Sequence, residues 1–208
     1  MANENYYDSL SDMGRIKESL MSLFCDTEDI THLIMPEKDD DNFSWEQNWY
    51  GGTFDKNIYG GAETKTLSGH CFDIPYTEGA VSDGKCALFI ETHLIKAPNQ
   101  RIKNVGVDVY IVCHKDFIRL SEEDTQYYNS IGIYGNRVDC AVQAINSAIN
   151  ASTAMNAVKK KYSIGDLIFT DENPVSRFMP DGAYCGKCLS YSYHAFYQRK
   201  NNVKQVTV

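Results

Sequence analysis

Residues 105–114 constrain the fold more than any other part of the sequence, because an apolar residue stands at every second position from Val105 to Cys113. Such alternation predicts a β-strand with one buried face. A second strand-like run covers residues 86–96, and residues 97–100 between the runs have turn chemistry. We therefore expect a hairpin whose arms span roughly 30 Å. A hairpin of that length either reaches beyond its own domain to a partner or forms the centre of the sheet.

Two helices are predicted from apolar stripes with helical spacing. The first covers residues 11–24, and the second covers residues 136–151 after a turn glycine at Gly135 and a capping residue at Asn136. Weaker alternation predicts strands at residues 162–170 and 188–198. The order of helix, long loop, hairpin, helix and strands is typical of an α+β fold.

The whole chain, residues 1–208, has a length that suits a single domain. Residues 37–69 carry no helical or strand period and are expected to form a long irregular loop. Trp45 and Trp49 in this loop are expected to pin it to a surface, either of its own domain or of a neighbouring chain. The polar residues 199–208 are expected to form a loose tail.

The net charge of −8, from 28 acidic and 20 basic side chains, argues against a surface that grips DNA or RNA phosphates. It argues equally against binding to anionic membranes. No run of residues is long and apolar enough for a membrane span, and the N-terminal residues lack the features of a signal peptide. We therefore expect folding in a cytoplasm, with the seven cysteines as reduced thiols.

The sequence contains no residue set that predicts catalysis, a cofactor or a bound metal. The CxxC pair Cys185 and Cys188 has no second pair of ligands at zinc spacing, and it is interpreted as a glycine-containing turn with two incidental thiols. The segment 132–137 lacks the lysine and spacing of a phosphate-binding loop. We expect that the chain is not an enzyme.

Several segments resemble the neck and tail-terminator proteins of tailed bacteriophages, especially phages of low-GC Gram-positive hosts. The resemblance rests on residues 132–139 (GIYGNRVD) with the following helix and on the strand at residues 105–120. It also rests on residues 72–78 and on segments between residues 164 and 191. The resemblance covers residues 12–35 and 70–198. It implies a mixed, mostly antiparallel sheet flanked by two helices, with a long projecting β-hairpin.

The resemblance further implies a ring, commonly a hexamer, at the head-proximal end of the tail. Such a ring joins the tail tube or sheath to the neck and connector proteins, and genomic DNA only passes through its lumen. The protein would be part of the virion, assembled in the host bacterial cytoplasm without a membrane. The suspected contacts between subunits are the hairpin tip and the loop tryptophans: Pro98, Asn99, Gln100, Arg101, Trp45 and Trp49.

Two alternatives remain open from the sequence. The first is a head-completion ring, the stopper or adaptor of the same neck. The second belongs to another class of protein, a small protein-binding or enzyme-accessory domain whose surface is a tyrosine-rich sheet.

Overall fold

A computed structural model describes residues 8–35, 49, 69–73, 86–99, 102–162, 165–170, 174–179 and 182–196. Most of the expected loop at 37–69 and all of the expected tail at 199–208 lie outside these residues. Trp45, Gln100 and Arg101 lie outside them as well.

The described residues form five helices and six strands, with the helices on one side of the sheet. The helices are α1 (Asp8–Cys25), α2 (Glu28–Ile34), α3 (Glu122–Ser130), α4 (Arg137–Ala151) and α5 (Thr153–Tyr162). The strands are β1 (Cys71–Phe72), β2 (Cys86–Asn99), β3 (Ile102–His114), β4 (Ile168–Phe169), β5 (Val175–Phe178) and β6 (Tyr184–Phe196). The α+β fold class is confirmed.

The sheet is open and mixed, with the order β1-β2-β3-β6-β4, and β5 also pairs with β6. Only the short β1 runs parallel to its neighbour β2, and the other pairings are antiparallel. This arrangement confirms the expected mixed, mostly antiparallel sheet.

The predicted hairpin is β2 and β3, and its arms are longer than expected because pairing continues to Asn99 and Ile102. Strand β3 also pairs with β6 over its whole length, from Ile102 to His114. The second arm is therefore a central strand of the sheet, which was one of the two alternatives for a hairpin of this length.

The main core lies between the sheet and the helices. The β3 face predicted to be buried is buried there, and α1 and α4 pack against this side of the sheet. The buried residues of this β3 face are Val105, Val107, Val109, Ile111 and Cys113. A smaller cluster on the opposite face contains Phe72 stacked on Phe89, with ring centroids 4.8 Å apart.

Two segments without a predicted element form helices, and two local predictions were wrong. The acidic segment at 121–124 begins helix α3, where the Ser121 side chain accepts a hydrogen bond from the Asp124 backbone N–H. The polar stretch at 152–161 lies largely in helix α5. The strand expected at 162–170 is only Ile168–Phe169. The last strand begins at Tyr184, so it includes the CxxC segment that was interpreted as a turn.

Candidate subunit interface

At the beginning of β2 its outer edge pairs with β1. Further along β2, no described strand covers this edge. Strand β1 pairs with Leu88 and Phe89, and no described strand pairs with this edge from Ile90 onward. An open edge presents backbone N–H and C=O groups that a second chain can use as a template. This makes the far half of β2 the first candidate for an interface.

The same part of β2 carries apolar side chains in solvent. Leu94 and Ile95 are each 47% exposed, whereas the residues from Cys86 to Ile90 are buried. Single exposed apolar residues are common on protein surfaces, but two together on an open strand edge are typical of a contact surface. We call Leu94 and Ile95 the β2 strip.

The backbone limits how a partner can use this edge. The register with β3 shifts between Leu94 and Lys96 and again between Lys96 and Asn99, so the strand is bulged there. Pro98 has no N–H to donate. Bulges, lysine and proline are the features that block continuous strand addition. Backbone pairing is therefore restricted to the residues before the first bulge, and the β2 strip supplies side-chain contact.

A second apolar strip lies at the opposite edge of the sheet. Strands β4 and β5 pair with successive segments of β6 and form this outer boundary. The side chains of Ile168, Val175 and Met179 are exposed here. We call these three residues the β4–β5 strip; they share the sheet edge, although Ile168 and Val175 lie on opposite faces of the sheet. The sheet order places the two strips at opposite ends of one sheet.

The sheet face away from the helices is polar in its far half. Ser190 Oγ donates to Asp108 Oδ1 at 2.6 Å, and His93 Nδ1 lies 3.4 Å from Asp108 Oδ2. The His93 ring lies across Gly106, where a Cβ would collide with it. Asp108 therefore holds two side chains on the flanking strands, and its carboxylate is engaged in structural contacts.

The segment 132–137 is structural, as its glycine and capping residue predicted. Gly135 has a φ of 116°, which favours glycine, and a Cβ here would lie 2.6 Å from Asp139 Cβ. Asn136 and Asp139 form a reciprocal capping box at the start of α4. The buried Arg137 donates from Nε to Phe117 O at 2.7 Å and from Nη1 to Leu33 O at 3.2 Å. This segment therefore fixes α4 against the end of α2.

The two CxxC thiols lie on opposite faces of β6. Cys185 is paired with Cys113 on the helix side, whereas Cys188 is paired with Tyr110 on the other side. Burial raises the pKa of both thiols, to about 11 for Cys188. Within the described part of the chain, no group of three or more His, Cys, Asp or Glu side chains could hold a metal ion. Because Cys185 and Cys188 face opposite sides of β6, the two thiols do not form a joint metal-binding or redox site.

Trp49 lies in the core of its own chain. Its side chain is fully buried, and its Nε1 donates a hydrogen bond to Met21 O at 3.0 Å. This placement agrees with the first alternative for the loop tryptophans, contact with their own domain. A side chain without exposed surface cannot contact a neighbouring subunit.

Of the other suspected contact residues, Pro98 and Asn99 end strand β2, beyond the β2 strip. Sequence reasoning missed the two strips themselves. Leu94 continues the apolar alternation of β2, so the local sequence pattern does not indicate that its side chain is exposed. Ile168 and Val175 belong to strands of two and four residues, which are too short to show a period. Among the described helices, none is long and apolar enough to cross a membrane.

These features define an α+β chain with an open, mostly antiparallel sheet and an apolar strip at each edge of the sheet. A family model described as YomW matches residues 27–193, so the chain belongs to the YomW family. That family name comes from a Bacillus phage-like gene, which indicates a phage-associated protein. No curated protein and no solved structure shows significant similarity to the chain.

Proposed function

We propose that this chain is a structural virion protein that forms a ring at the head-proximal end of a phage tail. In this role it is the tail terminator or neck protein that joins the tail to the head connector. The observation that carries the proposal is the presence of two exposed apolar strips at opposite edges of one sheet. The phage-associated family supports the setting.

Two different surfaces on one chain favour a ring over a symmetric dimer. A symmetric dimer uses the same patch twice, whereas a contact between two different patches repeats from chain to chain and forms a ring when the rotation between neighbours closes. In the proposed ring, the β2 strip of one copy packs against the β4–β5 strip of the next. Burial of both strips removes apolar surface from water and favours association.

The backbone of β2 adds to this contact. Residues 90–94 precede the first bulge, and their outer N–H and C=O groups can pair with the β4–β5 edge of the neighbouring copy. Side chains beyond the bulge, including the expected tip residues Pro98 to Arg101, then contact the neighbour without ladder pairing. The sheet would continue around the ring.

The charge of the chain fits a ring through which DNA passes. DNA has to slide through the lumen, and attractive Lys or Arg contacts would hold its phosphates. A net charge of −8 opposes such retention. The proposed role involves no catalysis and no cofactor. Its partners are further copies of the chain, the adjacent connector proteins and the tail tube or sheath, in a virion assembled in the host cytoplasm.

The proposed contact between copies is tested by placing two positive charges in the β2 strip. The double variant Leu94→Lys, Ile95→Lys should fold as the wild type does, because both side chains are half exposed. Native mass spectrometry should show the variant as a monomer under conditions in which the wild type self-associates, and lysates should contain unjoined heads and tails. Ile131→Lys is the matched control, since Ile131 is also 47% exposed but follows helix α3 and belongs to neither strip.

Nonsense mutants of the phage distinguish the two ring roles, tail terminator and head-completion ring. A nonsense mutant that lacks a tail terminator should produce tails of uncontrolled length, because nothing caps the growing tube. A mutant that lacks a head-completion ring should instead produce tails of normal length and heads that lose DNA. Normal virions from the nonsense mutant would contradict both roles and favour a binding or accessory domain.

A further inference from the structure

Three cysteines form one row across the neighbouring strands β2, β3 and β6, at one end of these strands. Cys113 of β3 is in register with Cys86 of β2 on one side and with Cys185 of β6 on the other. The Cys86 thiol donates to Cys113 Sγ across 2.9 Å, and Cys185 Sγ lies 3.6 Å from Cys113 O. All three side chains point to the helix side of the sheet.

The spacing of the row suits disulfide formation. Residues opposite each other in an antiparallel pair have Cα atoms about 4.5–5.5 Å apart, which lies within the range that disulfides span. The sulfurs of Cys86 and Cys113 have to approach from 2.9 Å to about 2.05 Å, a shift that side-chain rotation provides. No strand has to move.

Access from solvent differs along the row. Cys86 and Cys113 are buried, and Cys185 is only half buried. A reagent in solution therefore meets Cys185 first.

The pKa shifts of the thiols indicate which cysteine attacks after Cys185. The hydrogen bond from Cys86 lowers the pKa of the Cys113 thiol, and the positive charge of Arg137 acts in the same direction against the effect of burial. Burial instead raises the pKa of Cys185. The thiolate is the attacking species in disulfide exchange, so Cys113 is the natural second nucleophile.

We propose that Cys185, Cys113 and Cys86 form a thiol–disulfide relay that accepts an oxidised low-molecular-weight thiol and ends in a Cys86–Cys113 disulfide. The Cys185 thiolate attacks the external disulfide RSSR, and RS⁻ leaves. Cys113 then attacks Cys185 Sγ in this mixed disulfide and releases the second RS⁻. Cys86 finally attacks Cys113 Sγ, and Cys185 leaves and regains a proton.

The net reaction balances. Two protein thiols are oxidised by two electrons, RSSR is reduced to two RSH, and the two thiol protons pass to the released RS⁻ groups. Where low-molecular-weight thiols are kept reduced, the row stays as three thiols, and in an oxidising medium it closes. The closed form ties the beginning of β2 to the central strand β3.

The test uses the full chain under native conditions with oxidised glutathione as the probe. Samples are quenched with N-ethylmaleimide and mapped by peptide mass spectrometry. We expect the loss of two thiols per chain and a cross-linked pair of peptides that contain Cys86 and Cys113. The melting temperature should rise by about 5 °C or more and return to its starting value with dithiothreitol.

Two variants test the entry point. Cys185→Ser should slow formation of the Cys86–Cys113 disulfide at least tenfold, whereas Cys188→Ser on the same strand but the opposite face should leave the rate unchanged. Cys86→Ala should stop the relay at a Cys113–Cys185 disulfide. A stable glutathione adduct at Cys185 in the wild type, or an unchanged rate in Cys185→Ser, would overturn the relay. The wild-type peptide map decides the product even if a variant does not fold.

Discussion

Leu94 and Val105 are opposite each other in the β2–β3 register, yet Val105 is 1% exposed and Leu94 is 47% exposed. The two side chains lie on the same side of the sheet, so the difference marks where the helices stop covering it. Leu94 is therefore at the boundary between the core and the β2 strip, and the pair provides a direct test of where the core ends.

Truncation of this pair should have unequal effects. Val105→Ala should lower the free energy of unfolding by about 2 kcal/mol, because it leaves a cavity in the core. Leu94→Ala should lower it by less than about 1 kcal/mol, because half of its side chain already contacts water. Urea unfolding of the isolated chains measures both values. Equal losses would show that Leu94 is a core residue and would remove it from the interface.

Replacement of Arg137 by Met should destabilise the chain strongly. The buried guanidinium binds the carbonyl groups of Phe117 and Leu33, and Met removes this donor from both acceptors, of which the contact at Leu33 is buried. We expect a loss of about 3 kcal/mol, which corresponds to a melting temperature lower by about 6–12 °C. Arg119→Met, at an exposed position in the turn after β3, is the control and should change the melting temperature by less than about 2 °C.

Two Gly→Ala substitutions should change stability in opposite directions. Gly135→Ala combines a left-handed φ with a collision against Asp139 and should cost at least about 1–2 kcal/mol. Gly14→Ala lies in α1 with open space around the added Cβ, so it should stabilise the chain by about 0.5–1 kcal/mol. Thermal unfolding measures both. A stabilising Gly135→Ala would contradict the turn geometry assigned to this segment.

The ion pair between α2 and α3 predicts a pH dependence. Burial alone would raise the pKa of Asp124, but the hydrogen bonds from His32 and Ser121 and the nearby positive charges outweigh it, so the pKa is lowered. A lowered carboxyl pKa stabilises the fold above the ordinary Asp pKa, and this contribution disappears as the pH falls through the lowered value.

Asp124→Asn should therefore reduce stability at pH 7 by up to about 1 kcal/mol, because the pair with His32 is largely but not fully buried. The difference between wild type and variant should shrink as the pH approaches 3. Melting temperatures of both proteins over this range provide the measurement. A difference that grows in acid would show that Asp124 is not stabilised as a carboxylate.

The long elements were predictable because their patterns are local. Apolar residues at every second position from Val105 to Cys113 identified β3, and Gly135 with Asn136 identified the start of α4. Helix α3 has a single buried residue, Tyr128, so it shows no apolar stripe. Strands β1 and β4 have two residues each and form only because β2 and β6 offer them an edge.

The candidate interface was less predictable, because exposure depends on strand order. Leu94 has the same local pattern as its buried neighbours on β2. Its exposure follows from the place of β2 in the sheet and from the reach of the helices, which are tertiary properties. The cysteine row is similar: Cys86, Cys113 and Cys185 become neighbours only when the registers of three strands are known.

A cryo-EM reconstruction of the necks from virions that carry this protein shows whether the chain forms a ring there. We expect a closed ring in which Leu94 and Ile95 of each copy contact Ile168 and Met179 of the next copy. A single copy per neck, or a ring that leaves both strips in solvent, would contradict it.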